Sequence, residues 1–134
     1  MDILENDYLI SDNHSLLQIK KIFELLNDTY WARNRTIETV TDSVKNSLCF
    51  GIYKDNVQIG FARCITDYAT TYWLCDVIIE NRHRNQGLGK RLIKYIVEHD
   101  KLKSLYGILS TRDAHGLYEQ YGFERESNGF MHKC

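Results

Sequence analysis

The stretch from Tyr72 to Ile79 constrains this chain more than any other. Its run Trp73-Leu74-Cys75-Asp76-Val77-Ile78-Ile79 is apolar at odd and even positions alike, broken by a single carboxylate. A half-buried strand alternates apolar with polar, whereas a run without alternation belongs inside a sheet covered by helices. The flanking sequence supplies those helices. Ser15-Leu16-Leu17-Gln18 has the S-x-x-Q form of a capping box, and Leu16, Ile19, Phe23 and Leu26 follow at helical spacing. Ile37, Val40 and Val44 mark the stripe of a second helix, and Leu88, Leu92, Ile93, Ile96 and Val97 that of a long third, with Ala114 to Tyr121 a short fourth.

Strands are expected at Leu48 to Lys54 and Val57 to Thr66, joined by the hairpin signal Lys54-Asp55-Asn56, and again at Leu105 to Leu109. In the second of these, Val57, Ile59, Phe61, Arg63 and Ile65 share a face. A terminal strand or hairpin is expected from Phe123, turning at Ser127-Asn128-Gly129. The order is β-α-α-β-β-β-α-β-α-β. That order describes a single-domain α/β (α+β) fold over residues 1–134, with a central twisted sheet of six to seven strands flanked by helices.

Composition narrows the functions. Seventeen Lys and Arg against 18 Asp and Glu leave a net charge of −1, where a compact nucleic-acid binder carries a basic excess. No window holds 18 consecutive apolar residues, so no membrane span is expected. Met1 to Ile10 carries Asp2, Glu5 and Asp7 and no basic residue, unlike a signal peptide. A cytoplasmic location is the expectation. Cys49, Cys64, Cys75 and Cys134 show no C-x-x-C spacing and the five histidines no i, i+4 pair, so no metal is expected.

Between the buried strand and the long helix lies Asn81-Arg82-His83-Arg84-Asn85-Gln86-Gly87-Leu88-Gly89-Lys90-Arg91. Glycines admit a ligand close to the backbone, and the helix start offers free N–H groups and a positive dipole end. Together they form an anion site suited to phosphate or pyrophosphate. A solvated strand-to-helix turn is the alternative. A P-loop is excluded by Arg84 and Arg91, and a dinucleotide fingerprint by Leu92 where its third glycine belongs.

Arg84-Asn85-Gln86-Gly87-Leu88-Gly89 fits R/Q-x-x-G-x-G/A and resembles the acetyl-CoA-binding motif of the GNAT superfamily of N-acetyltransferases. Downstream, Ala114-His115-Gly116-Leu117-Tyr118-Glu119-Gln120-Tyr121-Gly122-Phe123 is similar to that family's A-x-x-L-Y-E-x-x-G-F segment. The resemblance implies that the amides from Arg84 through Lys90 hold the coenzyme pyrophosphate. It implies that the backbone of Val77, Ile78 and Ile79 pairs with the pantetheine arm. Tyr118 falls on the position of the general acid that protonates the departing thiolate, although an aromatic at this spacing also suits a core face. Thr111 stands where many relatives have a cofactor-binding Asn.

For the base, Asp76 is the conspicuous candidate, because a carboxylate in an apolar strand is either paired or raised in pKa. Both readings stay open: a base with raised pKa, or a structural carboxylate bonded to Arg63 or a backbone donor. Some relatives carry an acidic residue or His one position earlier, where Cys75 stands. The acceptor is expected under the connection between the first two helices. There Tyr30, Trp31, Arg33 and Arg35 suit a small acceptor bearing an anion, with Asp67 or Asp76 taking its ammonium. The function expected is acetyl-CoA-dependent transfer to the primary amine of a small molecule, with no nucleic-acid or membrane partner and a homodimer left open. A non-catalytic acyl-CoA sensor or interaction domain and a protein-lysine acetyltransferase are the alternatives.

Overall fold

The computed structural model describes residues 2–126 and 129–133. Its strands are β1 (Ile3–Glu5), β2 (Tyr8–Ser11), β3 (Leu48–Lys54), β4 (Val57–Thr66), β5 (Thr71–Ile79) and β6 (Tyr106–Leu109). Its helices are α1 (Ile19–Asn27), α2 (Ile37–Lys45), α3 (Leu88–Val97) and α4 (His115–Glu119), with 3-10 turns at His14–Leu16 and Asn81–His83. The six strands form one sheet in sequence order. Every neighbouring pair is antiparallel except β5 and β6, which α3 connects in parallel. This is the mixed α/β arrangement expected from the buried run.

Local chemistry accounts for the turns. Asp55 and Asn56 both adopt positive φ, +51° and +66°, between β3 and β4. Asn6 and Asp7 do the same, at +51° and +67°, between β1 and β2. Two successive left-handed residues give the twist of a type I′ hairpin, and Asn and Asp tolerate that region best after glycine. The N-terminal strand expected as one element is therefore a hairpin of two.

Three expectations need correction. The capping box at Ser15 does not form: Asn13 accepts from the Ser15 amide at 3.0 Å and starts a 3-10 turn, and α1 begins only at Ile19. Thr36, by contrast, caps α2 by accepting from the Thr39 amide at 3.1 Å. Ile37 is largely exposed, leaving Val40 and Val44 as the buried stripe of α2. Residues 123–126 and 129–133 adopt no strand, and the expected turn residues Ser127 and Asn128 lie outside the described residues.

The sheet divides two apolar layers. On one side α3 buries Leu88, Leu92, Ile93 and Ile96 against Phe50, Ile52, Ala62, Cys64 and Leu74. On the other, α1 and α2 bury Ile22, Leu26, Val40 and Val44 against Cys49, Phe61 and Ile78. Each such aliphatic side chain taken from water contributes about 1.5–3 kcal/mol. Two register shifts exchange the faces along the chain. The first sets Ile52 opposite Gly60 and Tyr53 opposite Gln58, so Ile59 is an extra residue. Ile59 then packs with the α3 layer while Phe61 packs under α1 and α2, so the single shared face read from the sequence is interrupted. The second shift lies at the candidate site.

Candidate active site

In β5, Cys75 pairs with Arg63 and Ile78 with Phe61, so Asp76 and Val77 together oppose Ala62. Two residues against one is a β-bulge. Asp76 takes φ +57° there. The consequence is a change of face: Leu74 packs in the α3 layer, whereas Ile78 packs under α1 and α2. The bulge explains why the run could not alternate.

On its other side, β5 pairs with β6 only from Thr71 to Leu74, opposite Tyr106 to Leu109. Among the described residues, no strand covers that side of Cys75 to Ile79. Backbone N–H and C=O groups in a sheet demand partners, and an uncovered strand edge is a template for an extended ligand. Val77, Ile78 and Ile79 lie on that edge.

The loop closing the open end is shaped by backbone. Asn85 has φ +65° and Gly87 φ +77°, and Gly87 caps α3 with no side-chain hydrogen bond. A Cβ built on Gly87 or Gly89 would meet nothing within 4 Å. Glycine here leaves free space in front of the first N–H groups of α3, a cradle that fits a pyrophosphate. The loop is anchored from its edges. Arg84 Nε donates to the Ile79 carbonyl at 2.9 Å. Tyr8 donates its hydroxyl to Gln86 Oε1 at 3.3 Å and shares a 2.7 Å hydrogen bond with His83 Nδ1. Glu80, bonded by Lys21 and Arg82, steadies the loop's start. Tyr8, 75 residues from His83, carried no sequence signal for this role.

Asp76 is the centre of the opposite wall. It is 4% exposed. Trp31 Nε1 donates to its Oδ1 at 3.0 Å, while Arg35 Nη1 and Arg63 Nε donate to Oδ2 at 2.8 and 2.9 Å. Burial pushes this carboxyl up, but the Arg35 hydrogen bond and the Arg63 and Arg35 charges outweigh it and hold it below its ordinary value. The raised-pKa reading of Asp76 is therefore corrected: the carboxylate is paired, with Arg63 as one of the partners anticipated.

A model of the acetyltransferase (GNAT) domain matches residues 45–125, a span running from the end of α2 past α4. The chain belongs to the GNAT family. Its structure is similar to a GNAT-family acetyltransferase structure from Xanthomonas campestris pv. campestris, with 39% identity, a TM-score of 0.87 and coverage of 92% of this chain and 88% of that one. A fungal relative from Gibberella zeae named as an acetyltransferase is 29% identical over 112 residues, 69% of this chain and 63% of that protein. This chain thus spans less than two thirds of that relative. A GNAT acetyltransferase from Elizabethkingia anophelis, solved with acetyl-CoA bound, shares the fold at a TM-score of 0.69 and 19% identity, covering 92% of this chain and 80% of that one.

Within this GNAT domain, α4 carries Tyr118, whose side chain packs half-buried at the edge of the α3 layer. Its hydroxyl makes no hydrogen bond among the described residues, and its ring meets Phe123 edge-on at 6.0 Å. Burial, with smaller contributions from Asp113 and Tyr30, pushes its pKa up to about 12. Tyr30 packs edge-on against Trp31 at 5.0 Å, and the Arg112 guanidinium stacks 3.7 Å from the centre of the Tyr30 ring. Arg112, missed in the sequence, thus ties the β6–α4 loop to the acceptor side.

The remaining candidates separate. Thr111 Oγ1 accepts from the Ala114 amide at 3.1 Å, capping the turn into α4 and keeping its own hydrogen to donate. Arg33 is exposed. Asp67 is not brought to the site: it closes the β4–β5 turn, accepting from the Ala69 and Thr70 amides at 2.9 and 2.8 Å and from the Thr70 hydroxyl. Those hydrogen bonds, led by the Thr70 hydroxyl, hold its carboxyl far below the usual range. Five residues of β5 separate Thr71 from Asp76, about 16 Å of strand. Cys75 is partly buried, and burial pushes its thiol up to about 11, so it stays protonated and weakly nucleophilic.

Proposed function

We propose that this chain is an acetyl-CoA-dependent N-acetyltransferase that transfers the acetyl group directly to the primary amine of a small molecule. The observation carrying this is the opening of β5 from β6 beside a glycine-lined helix start, with Tyr118 on α4 making no hydroxyl hydrogen bond among the described residues. The GNAT resemblance of residues 45–125 supports the same reading.

When bound, acetyl-CoA supplies an activated thioester acyl group. The amides of Arg84, Asn85, Gln86, Gly87, Leu88, Gly89 and Lys90 hold its pyrophosphate, aided by the positive end of α3. Val77, Ile78 and Ile79 hold the pantetheine arm through backbone hydrogen bonds, and Thr111 has a hydroxyl to donate to it. A strand amide in this region stabilises negative charge developing on the thioester oxygen. Tyr118 keeps its proton throughout the neutral range, because its pKa stands near 12. It therefore acts as a hydrogen-bond donor to the departing sulfur and passes over its proton as negative charge accumulates there. Asp76 is bonded to two arginines, so the proton of the attacking amine leaves through water. Tyr30, Trp31 and Arg35 form the acceptor wall.

The test is a thiol-release assay with a panel of primary amines, paired with calorimetric titration of acetyl-CoA. Turnover with an amine is the expected result. Coenzyme binding without turnover of any amine would replace this reading with an acyl-CoA sensor.

A further inference from the structure

The charges around Asp76 do not balance. One carboxylate faces two guanidinium groups, from Arg35 and Arg63. The charges acting on the neighbouring Cys75 thiol are the same three, two positive and one negative. Cys75 itself is protonated and adds no anion. Arg63 makes two hydrogen bonds, its Nε on Asp76 and its Nη1 on the Ser47 hydroxyl at 3.1 Å. Arg35 makes one. It gives Asp76 one nitrogen, Nη1, and its other guanidinium N–H groups make no hydrogen bond among the described residues. Its side chain is 27% exposed, against 10% for Arg63, so the surplus charge sits where a ligand can reach it.

We propose that the acceptor amine carries an anionic group, a carboxylate or a phosphate, which docks on the free edge of the Arg35 guanidinium. The identity of this ligand as the acceptor rests on the transferase reading. A guanidinium presents paired donors that match both oxyanions, and a half-buried cation that shares its one counter-ion with a second arginine gains from such a ligand. Asp76 holds the guanidinium in place through Nη1, and Trp31 Nε1, bonded to the same carboxylate, braces the wall beside it. Val77, proposed above to hold the pantetheine arm, follows Asp76 directly in the strand. Arg112, stacked on Tyr30, adds positive charge at the mouth.

The experiment is calorimetric titration of the coenzyme-saturated protein with matched amines. Each protein amino acid is compared with its carboxamide, and O-phosphoethanolamine with ethanolamine. The tightest ligand is expected to be anionic and to bind about ten- to a hundredfold better than its neutral partner, the size of one charge-assisted hydrogen bond. Carboxylate and phosphate arms identify which oxyanion is preferred. Arg35→Gln should collapse the preference while coenzyme affinity and melting temperature show a folded protein. Arg35→Lys, which keeps the charge and loses the planar fork, should retain part of it. Should Arg35→Gln not fold, the wild-type pairs and Arg35→Lys still decide. Equal binding of neutral partners, no binding by any member, or a preference that survives Arg35→Gln overturns the proposal. Thiol release on the same panel separates the two readings. Turnover without anion preference defeats this inference alone, and anion-selective binding without turnover defeats the transferase reading alone.

Discussion

The two walls of the cleft are built from different materials. The proposed coenzyme side is made of backbone: left-handed Asn85 and Gly87, open space before Gly87 and Gly89, and a strand edge from Cys75 to Ile79 that no strand pairs among the described residues. The acceptor side is made of side chains that converge from distant positions, with Trp31, Arg35 and Arg63 on Asp76. Gly89 on the backbone wall accepts a side chain with little loss of stability, because a Cβ there meets nothing within 4 Å. A wall of buried charge cannot, since removing one member leaves the others unpaired.

Asp76→Ala tests that difference at its strongest. It strands two arginines and places a Cβ-bearing residue without a polar side chain in the left-handed region, so a loss of about 3–5 kcal/mol of stability is expected. Thermal and denaturant unfolding measure it, and a loss under about 1 kcal/mol would show that the cluster is not structural. Asp76→Asn should cost less, because Asn tolerates the same backbone and still accepts hydrogen bonds. The sign with pH follows from the lowered folded pKa: the stabilisation by Asp76 is present above its ordinary value of 3.8 and is lost as pH falls through the lower folded value. The gap between wild type and Asp76→Asn should therefore narrow below about pH 4. A limb in the rate profile between pH 6 and 9 should survive in Asp76→Asn; its disappearance would restore Asp76 as the base.

Tyr118→Phe comes next, at about 10²-fold in kcat with unchanged coenzyme affinity. Because burial holds its pKa near 12, no basic limb attributable to Tyr118 should appear below about pH 10. Full retention of kcat would make the tyrosine a packing residue.

On the backbone wall, Gly89→Asp should leave stability within about 1 kcal/mol, since a carboxylate in the first turn of α3 complements the helix dipole. Coenzyme affinity should nevertheless fall at least about tenfold, as the new charge fills the space meant for a phosphate. Calorimetry with a melting curve on the same sample reads both, and unchanged affinity would place the pyrophosphate elsewhere. The smallest effect belongs to Tyr8→Phe, which frees Gln86 and His83 of one hydroxyl. About 0.5–1.5 kcal/mol is expected, read as a modest rise in KM for acetyl-CoA at constant kcat.

The difference between the walls is also the difference between what could and could not be read from the chain. The glycine spacing from Arg84 to Gly89, the strands Leu48 to Lys54 and Val57 to Thr66, and the helix stripes rest on local rules of backbone freedom and side-chain period. Those rules act over a few residues, so the sequence alone determined the α/β class, the glycine turn that starts α3 and the place of Tyr118 on α4. The tertiary structure decided what depends on register. A one-residue insertion at Ile59 and another at Asp76 moved side chains to opposite faces, and no periodicity marks such insertions in advance. It also decided that Asp76 is paired to Arg35, 41 residues away, that Asp67 stays in its own turn, and that Tyr8 braces the coenzyme loop. Sequence separation carries no information on such pairings, because packing sets them after the sheet has closed.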